Sequence, residues 1–167
     1  LHRPREQQRS GLGLFDGKRF SRLRFERAHG GSQERFGHQV VDDVVASGFQ
    51  SAGQRCSALR VMFVQDEIAD DVITMLKGAL QELHIGDPSD LATDVGPVID
   101  QKALASLTAH TEKMQGVAKL LYQSELTPEQ REQGNFFPPT LYQIDGLEVL
   151  EKEVFGYALT LYLGSEK

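Results

Sequence analysis

From His38 onward the apolar positions recur at a helical step. Val40, Val41, Val44, Val45 and Phe49 lie three and four residues apart with Asp42 and Asp43 between them, which places one stripe on a core and the aspartates in water. A helix ending near Phe49 is predicted. Leu59 to Val64 is then apolar apart from Arg60 and is bounded by polar residues, the pattern of a short buried parallel strand. Asp66 is placed to cap a second helix whose Ile68, Val72, Met75, Leu76, Ala79, Leu80 and Leu83 form a continuous stripe, with Gly86 available as its stop. A strand followed by a helix is the α/β signature.

The pattern continues in the second half. Asp87 to Gly96 reads as a loop, and Asp100 caps a third helix with Leu104, Leu107, Met114 and Val117 inward. Lys119 to Tyr122 predicts a short strand, Ser124 to Asn135 is polar and turn-rich, and Phe136 to Tyr142 returns to a strand with its prolines confined to the start. Glu151 to Tyr162 predicts a turn feeding a last strand. The fold class expected is α/β, a parallel-sheet core with flanking helices, and there are no internal repeats.

Charge divides the chain in two. Residues 1–37 carry nine cations against four acids, and residues 38–167 carry nine against twenty, so a +5 segment precedes a −11 segment and the net charge of −6 averages unlike parts. The basic segment shows neither helical nor strand periodicity and has few aliphatic residues to bury, so it is expected to be disordered and to stand apart from a domain over 38–167. A basic arm holding RNA is the alternative use of such a segment. Its Gly11-x-Gly13-x-x-x-Gly17 is no dinucleotide fingerprint, since the third glycine falls one place late and no apolar strand precedes it. The acidic balance of the chain as a whole argues against general nucleic-acid binding. No run approaches the roughly 20 apolar residues of a membrane helix. A single cysteine forbids an internal disulfide framework, and five scattered histidines without metal-ligand spacing give no metal site. A soluble cytoplasmic protein is expected.

The candidate chemistry gathers around that cysteine, in Phe49-Gln50-Ser51-Ala52-Gly53-Gln54-Arg55-Cys56-Ser57-Ala58. A lone cysteine is often a small buried hydrophobe. Here it follows a Gly-Gln-Arg step where the backbone can turn tightly between the first helix and the first strand, so the thiol can face a cleft. The pattern Phe-x-x-x-Gly-Gln-x-Cys-x-Ala resembles the active-site cysteine motif of the aldehyde dehydrogenase superfamily. The longer stretch from Val40 to Val64 resembles the L-glutamate 5-semialdehyde (pyrroline-5-carboxylate) dehydrogenase module of bacterial bifunctional proline-utilisation proteins. Phe136-x-x-Pro139-Thr140 and Glu153-Val154-Phe155-Gly156 match further family motifs, the latter with Tyr157 where the family has proline.

The resemblance implies NAD as cofactor, an aldehyde as substrate, and oxidation of L-glutamate 5-semialdehyde to L-glutamate in proline degradation. It implies Cys56 as the nucleophile, Glu153 and Phe155 as nicotinamide-side contacts, and Ser57 as a contact to the substrate carboxylate. Arg55 assists thiol ionisation if it points inward, and is otherwise a surface cation. The family's general-base motif, Glu-(Leu/Thr)-Gly-Gly, has no match: Arg22 to Arg27 stands in its place, and Glu26 lacks the following glycines. The likeness begins abruptly near Gln39 and runs to Tyr162, which suggests a truncated piece of a catalytic domain, inactive alone and associating with its own kind or with the remaining parts of a larger dehydrogenase. The competing expectation is a non-catalytic remnant or subunit-interaction fragment that pairs through open strand edges.

Overall fold

The helical step around Val40 forms α1, Gln33–Phe49. Val41, Val44 and Phe49 are buried and Asp42 and Asp43 are exposed, so the stripe faces the side its spacing requires. The computed structural model describes residues 12–15, 18–22, 33–132, 134–151, 154, 156 and 158–164. After the cysteine stretch comes β3, Val61–Gln65, then a 3-10 turn at Asp66–Ile68 and α2, Ala69–Gln81. Ala69, Val72, Leu76 and Leu80 bury the predicted stripe. Asp66 does not cap α2. It lies inside the preceding turn, and the acidic Asp70 and Asp71 complement the helix N-terminus instead. Nor does Gly86 stop the helix, which ends at Gln81; the Gly86 amide donates to the Val95 carbonyl at 3.0 Å within the following loop.

The third helix, α3, spans Gln101–Met114, and the Asp100 carboxylate accepts from the Ala103 amide at 2.7 Å as the sequence predicts. Leu107 and Met114 are fully buried and Leu104 is half-buried. Val117 is 45% exposed, not inward. The Val117 and Ala118 amides both donate to the Met114 carbonyl, so the chain leaves the helix before Val117 can join the stripe. β4, Lys119–Gln123, and β5, Thr140–Ile144, follow, with the short α4, Pro128–Glu132, between them. β5 starts only at Thr140, because two prolines deny the preceding stretch ladder donors. β6 is Ala158–Gly164.

Residues 12–22 differ from expectation. No strand periodicity is read there, yet the backbone forms β1, Leu12–Phe15, and β2, Lys18–Arg22, paired antiparallel with Phe15 opposite Lys18. The sequence between the two strands is Asp16-Gly17, one of the pairs favoured in two-residue hairpin turns. The local turn signal was the legible one. Residues 1–11, 16–17 and 23–32 lie outside the described ones.

The strands form one sheet in the order β1-β2-β3-β6-β5-β4. β2 with β3, β3 with β6 and β6 with β5 are parallel, while the edge pairs β1–β2 and β4–β5 are antiparallel. Alternation along β5 feeds two apolar clusters. Leu141 joins Val44, Phe49, Met62, Leu76 and Leu107, whereas Tyr142 and Ile144 join Met114 and Ala158.

The second cluster holds a titratable ring. His110 stands edge-on to Tyr142, ring centroids 6.4 Å apart and planes at 89°. Burial, and then the charge of Lys113, hold the His110 pKa below its usual value. An unfolded chain takes up a proton here below pH about 6.5 and the folded chain resists it, so stability falls as pH drops through that range. His110→Gln is expected to lose less stability than the parent between pH 7.5 and 5.5, read as urea midpoints. Equal losses would refute this role for the ring.

Candidate active site

Between α1 and β3 the backbone takes an uncommon path. Ser51, Ala52 and Gly53 have φ of 54°, 57° and 59°, three consecutive residues in the left-handed region. For the two that carry a Cβ this costs on the order of 1–3 kcal/mol each, and such conformations persist where the surroundings impose them. The surroundings are explicit. Ala52 and Gly53 are buried, the Gln54 amide donates to the Ser51 carbonyl at 3.0 Å, and the Leu59 amide reaches back to the Ser47 carbonyl at 3.2 Å. The helix is thereby reversed within a few residues and Cys56 emerges on a turn, exposed and with a free thiol.

The neighbours of the sulfur are held individually. Arg55 is exposed and its Nε donates to Ser51 Oγ at 2.9 Å, the solvent-facing alternative of the two expected for it. Arg60 is half-buried and donates to the Arg55 carbonyl at 3.2 Å, an oxygen that also accepts the Ala58 amide at 3.1 Å. Arg60 thus braces the turn from beneath. Its sequence signal was a cation interrupting an otherwise apolar run. Ser57, expected at the substrate carboxylate, is exposed beside Cys56. The Gln54 Oε1 accepts the Ile99 amide at 3.0 Å, 45 residues away.

A second segment meets this turn. Gly156, at φ 139°, lies so near Gly53 that a methyl group on Gly53 would stand 2.6 Å from the Gly156 carbonyl oxygen and 2.8 Å from the Gly48 carbonyl oxygen. On its own open side Gly156 packs on Leu107, whose side chain any Cβ there would overlap. Two glycines are needed because the backbones approach more closely than side chains permit. Val154 is half-buried against the core, and at the other end of α3 Lys113 pairs with Glu151 at 2.9 Å on the surface. The Glu153 and Phe155 expected at the nicotinamide lie outside the described residues, as do Glu26 and Tyr157. What the fold brings together is therefore the Gly53 bend ahead of the cysteine and the backbone of Gly156. The sequence separates them by about a hundred residues.

The arrangement can offer a reachable sulfur nucleophile on a braced turn. Among the described residues no group of three or more His, Cys, Asp or Glu could hold a metal ion, and no helix is long and apolar enough to cross a membrane.

Comparison with known proteins gives a family match over residues 37–162, described as "Aldehyde dehydrogenase family". The "Bifunctional protein PutA" of Klebsiella aerogenes is 49% identical over 125 residues, which cover 72% of this chain and 10% of that protein. The 1-pyrroline-5-carboxylate dehydrogenase of Geobacillus kaustophilus is 30% identical over 119 residues, 70% of this chain and 22% of that one. A crystal structure of bifunctional proline utilization A superposes with a TM-score of 0.72 at 46% identity, covering 77% of this chain and 13% of that chain. The chain thus spans about a tenth of the length of the bifunctional relatives it matches.

Proposed function

We propose that this chain, which belongs to the aldehyde dehydrogenase family, supplies the nucleophile-bearing part of a cytoplasmic dehydrogenase that oxidises L-glutamate 5-semialdehyde to L-glutamate with NAD in proline degradation. The observation that carries the proposal is an exposed cysteine just after a strained, braced bend against which the Gly156 backbone is pressed. Identity to pyrroline-5-carboxylate dehydrogenases supports the choice of substrate.

In this mechanism the Cys56 thiolate adds through Sγ to the aldehyde carbon, giving a tetrahedral thiohemiacetal, and the Cys56 amide donates to its oxyanion. The addition matters because it removes the need to expel hydride from a free hydrated aldehyde. Bound beside this carbon, NAD would supply the acceptor for the hydride lost from it. The fit to that cofactor rests on the Glu153-Val154-Phe155-Gly156 motif of the sequence, whose Gly156 backbone lies against Gly53 in the bend ahead of Cys56. Glu153 would hold the nicotinamide ribose and Phe155 would pack beside the ring. Water opens the resulting thioester and frees the thiol, while Ser57 holds the substrate carboxylate. A second oxyanion donor and a general base come from parts of the family's catalytic machinery that this sequence does not match. Loss of one oxyanion donor alone lowers a rate roughly 10²- to 10³-fold, so the isolated chain is expected to make no NADH above background.

The test is a graft. Residues 37–162 replace the matching segment of the Klebsiella protein, and NADH formation from L-glutamate 5-semialdehyde is followed. The chimaera is expected to turn over and its Cys56→Ala variant to fall to background. A chimaera still active without the sulfur, or one preferring an aldehyde that lacks the α-amino acid group, would overturn the proposal.

A further inference from the structure

We infer that Gln54 is a positioning residue for Cys56, an assignment that rests on the reading of Cys56 as the nucleophile. Gln54 acts at both ends. Its backbone amide closes the left-handed turn on the Ser51 carbonyl at 3.0 Å, and its half-buried side chain crosses to the segment leading into α3, where Oε1 accepts the Ile99 amide at 3.0 Å. That segment is itself fixed. The Val98 amide donates to the Asn135 carbonyl at 2.8 Å, the Val98 side chain is buried, and Asp100 caps the helix directly after Ile99.

The consequence follows from the strain beside it. Residues 51–53 stand in a conformation that relaxes unless held, and the side chain of Arg55, the residue before the cysteine, donates within the turn to Ser51. Such a bond cannot tell the turn where to stand relative to the rest of the fold. The carboxamide of Gln54 does so, because its acceptor oxygen is tied to a backbone N–H on a different element. Gln54 thereby sets the position of the sulfur two residues on without touching substrate.

The sole cysteine makes the test clean, because a trifluoromethyl tag goes to one site. The full chain is tagged at Cys56 and read by fluorine NMR, together with hydrogen exchange at the Ile99 amide and the urea midpoint. Gln54→Met keeps length and bulk but has no strong acceptor, whereas Gln54→Glu keeps an acceptor oxygen. In the parent and in Gln54→Glu one narrow fluorine resonance is expected away from its position in the unfolded chain. In Gln54→Met the resonance moves toward the unfolded value and Ile99 exchange rises about fivefold, as loss of a bond worth about 1 kcal/mol implies. Should Gln54→Met unfold, Gln54→Asn, one methylene short, carries the same comparison. Gln54→Met keeping the parent resonance, or Gln54→Glu failing to restore it, would remove the positioning role. The tag reports whether or not Cys56 adds to aldehydes, so failure of the graft above with this result intact would strike the nucleophile alone.

Discussion

Gly53→Ala is expected to destabilise the chain by about 3 kcal/mol, combining a non-glycine residue in left-handed backbone with overpacking of a tight contact. Both causes are visible. Gly53 has φ 59°, and an added methyl group would stand 2.6 Å from the Gly156 carbonyl oxygen and 2.8 Å from that of Gly48. Backbone on both sides leaves no flexible side chain to swing away. The bend must lift off Gly156, or Gly156 must move, and either motion separates the parts of the candidate site. The measurement is a urea midpoint paired with the rate at which iodoacetamide labels Cys56. A midpoint within about 0.5 kcal/mol of the parent, the range of an ordinary surface substitution, would show that the close approach does not hold in solution.

Leu107→Ala is expected to cost a similar amount by a different route, about 2–5 kcal/mol for a buried leucine truncated to alanine. Leu107 has 0% exposure, belongs to the larger apolar cluster and lies under Gly156. Its removal leaves a void beneath the step that faces the cysteine turn, with no steric conflict to drive the two apart. Leu107→Met, which conserves volume, should recover most of the loss. With a domain's total stability commonly 5–15 kcal/mol, the alanine variant is expected to unfold at markedly lower urea. A truncation that shifts the midpoint no more than the methionine variant would show that α3 does not support the step through this side chain.

The fold was largely legible because burial is periodic. The stripes of α1 and α2 and the Asp100 cap were readable from spacing alone, since a side chain every 3.6 residues has one face and a carboxylate before a helix has one ready donor. Where the reading missed, tertiary or turn geometry had overridden the stripe. Val117 lay past the end of its helix, Asp66 fell into a 3-10 turn, and the paired strands β1 and β2 carry no alternating pattern to announce them.

The cysteine motif and its chemical type were likewise matters of sequence: thiol, tight-turning glycine and the glutamine before Arg55 stand together within a few residues. The tertiary structure alone decided that three residues there turn left-handed, that Gly53 and Gly156 meet, that Arg60 braces the turn and that Gln54 spans to Ile99. Those facts depend on how distant backbone segments approach through a common sheet and core. Local spacing carries a residue's preference for a face, but contacts across 45 or 100 positions exist only once the chain has closed on itself.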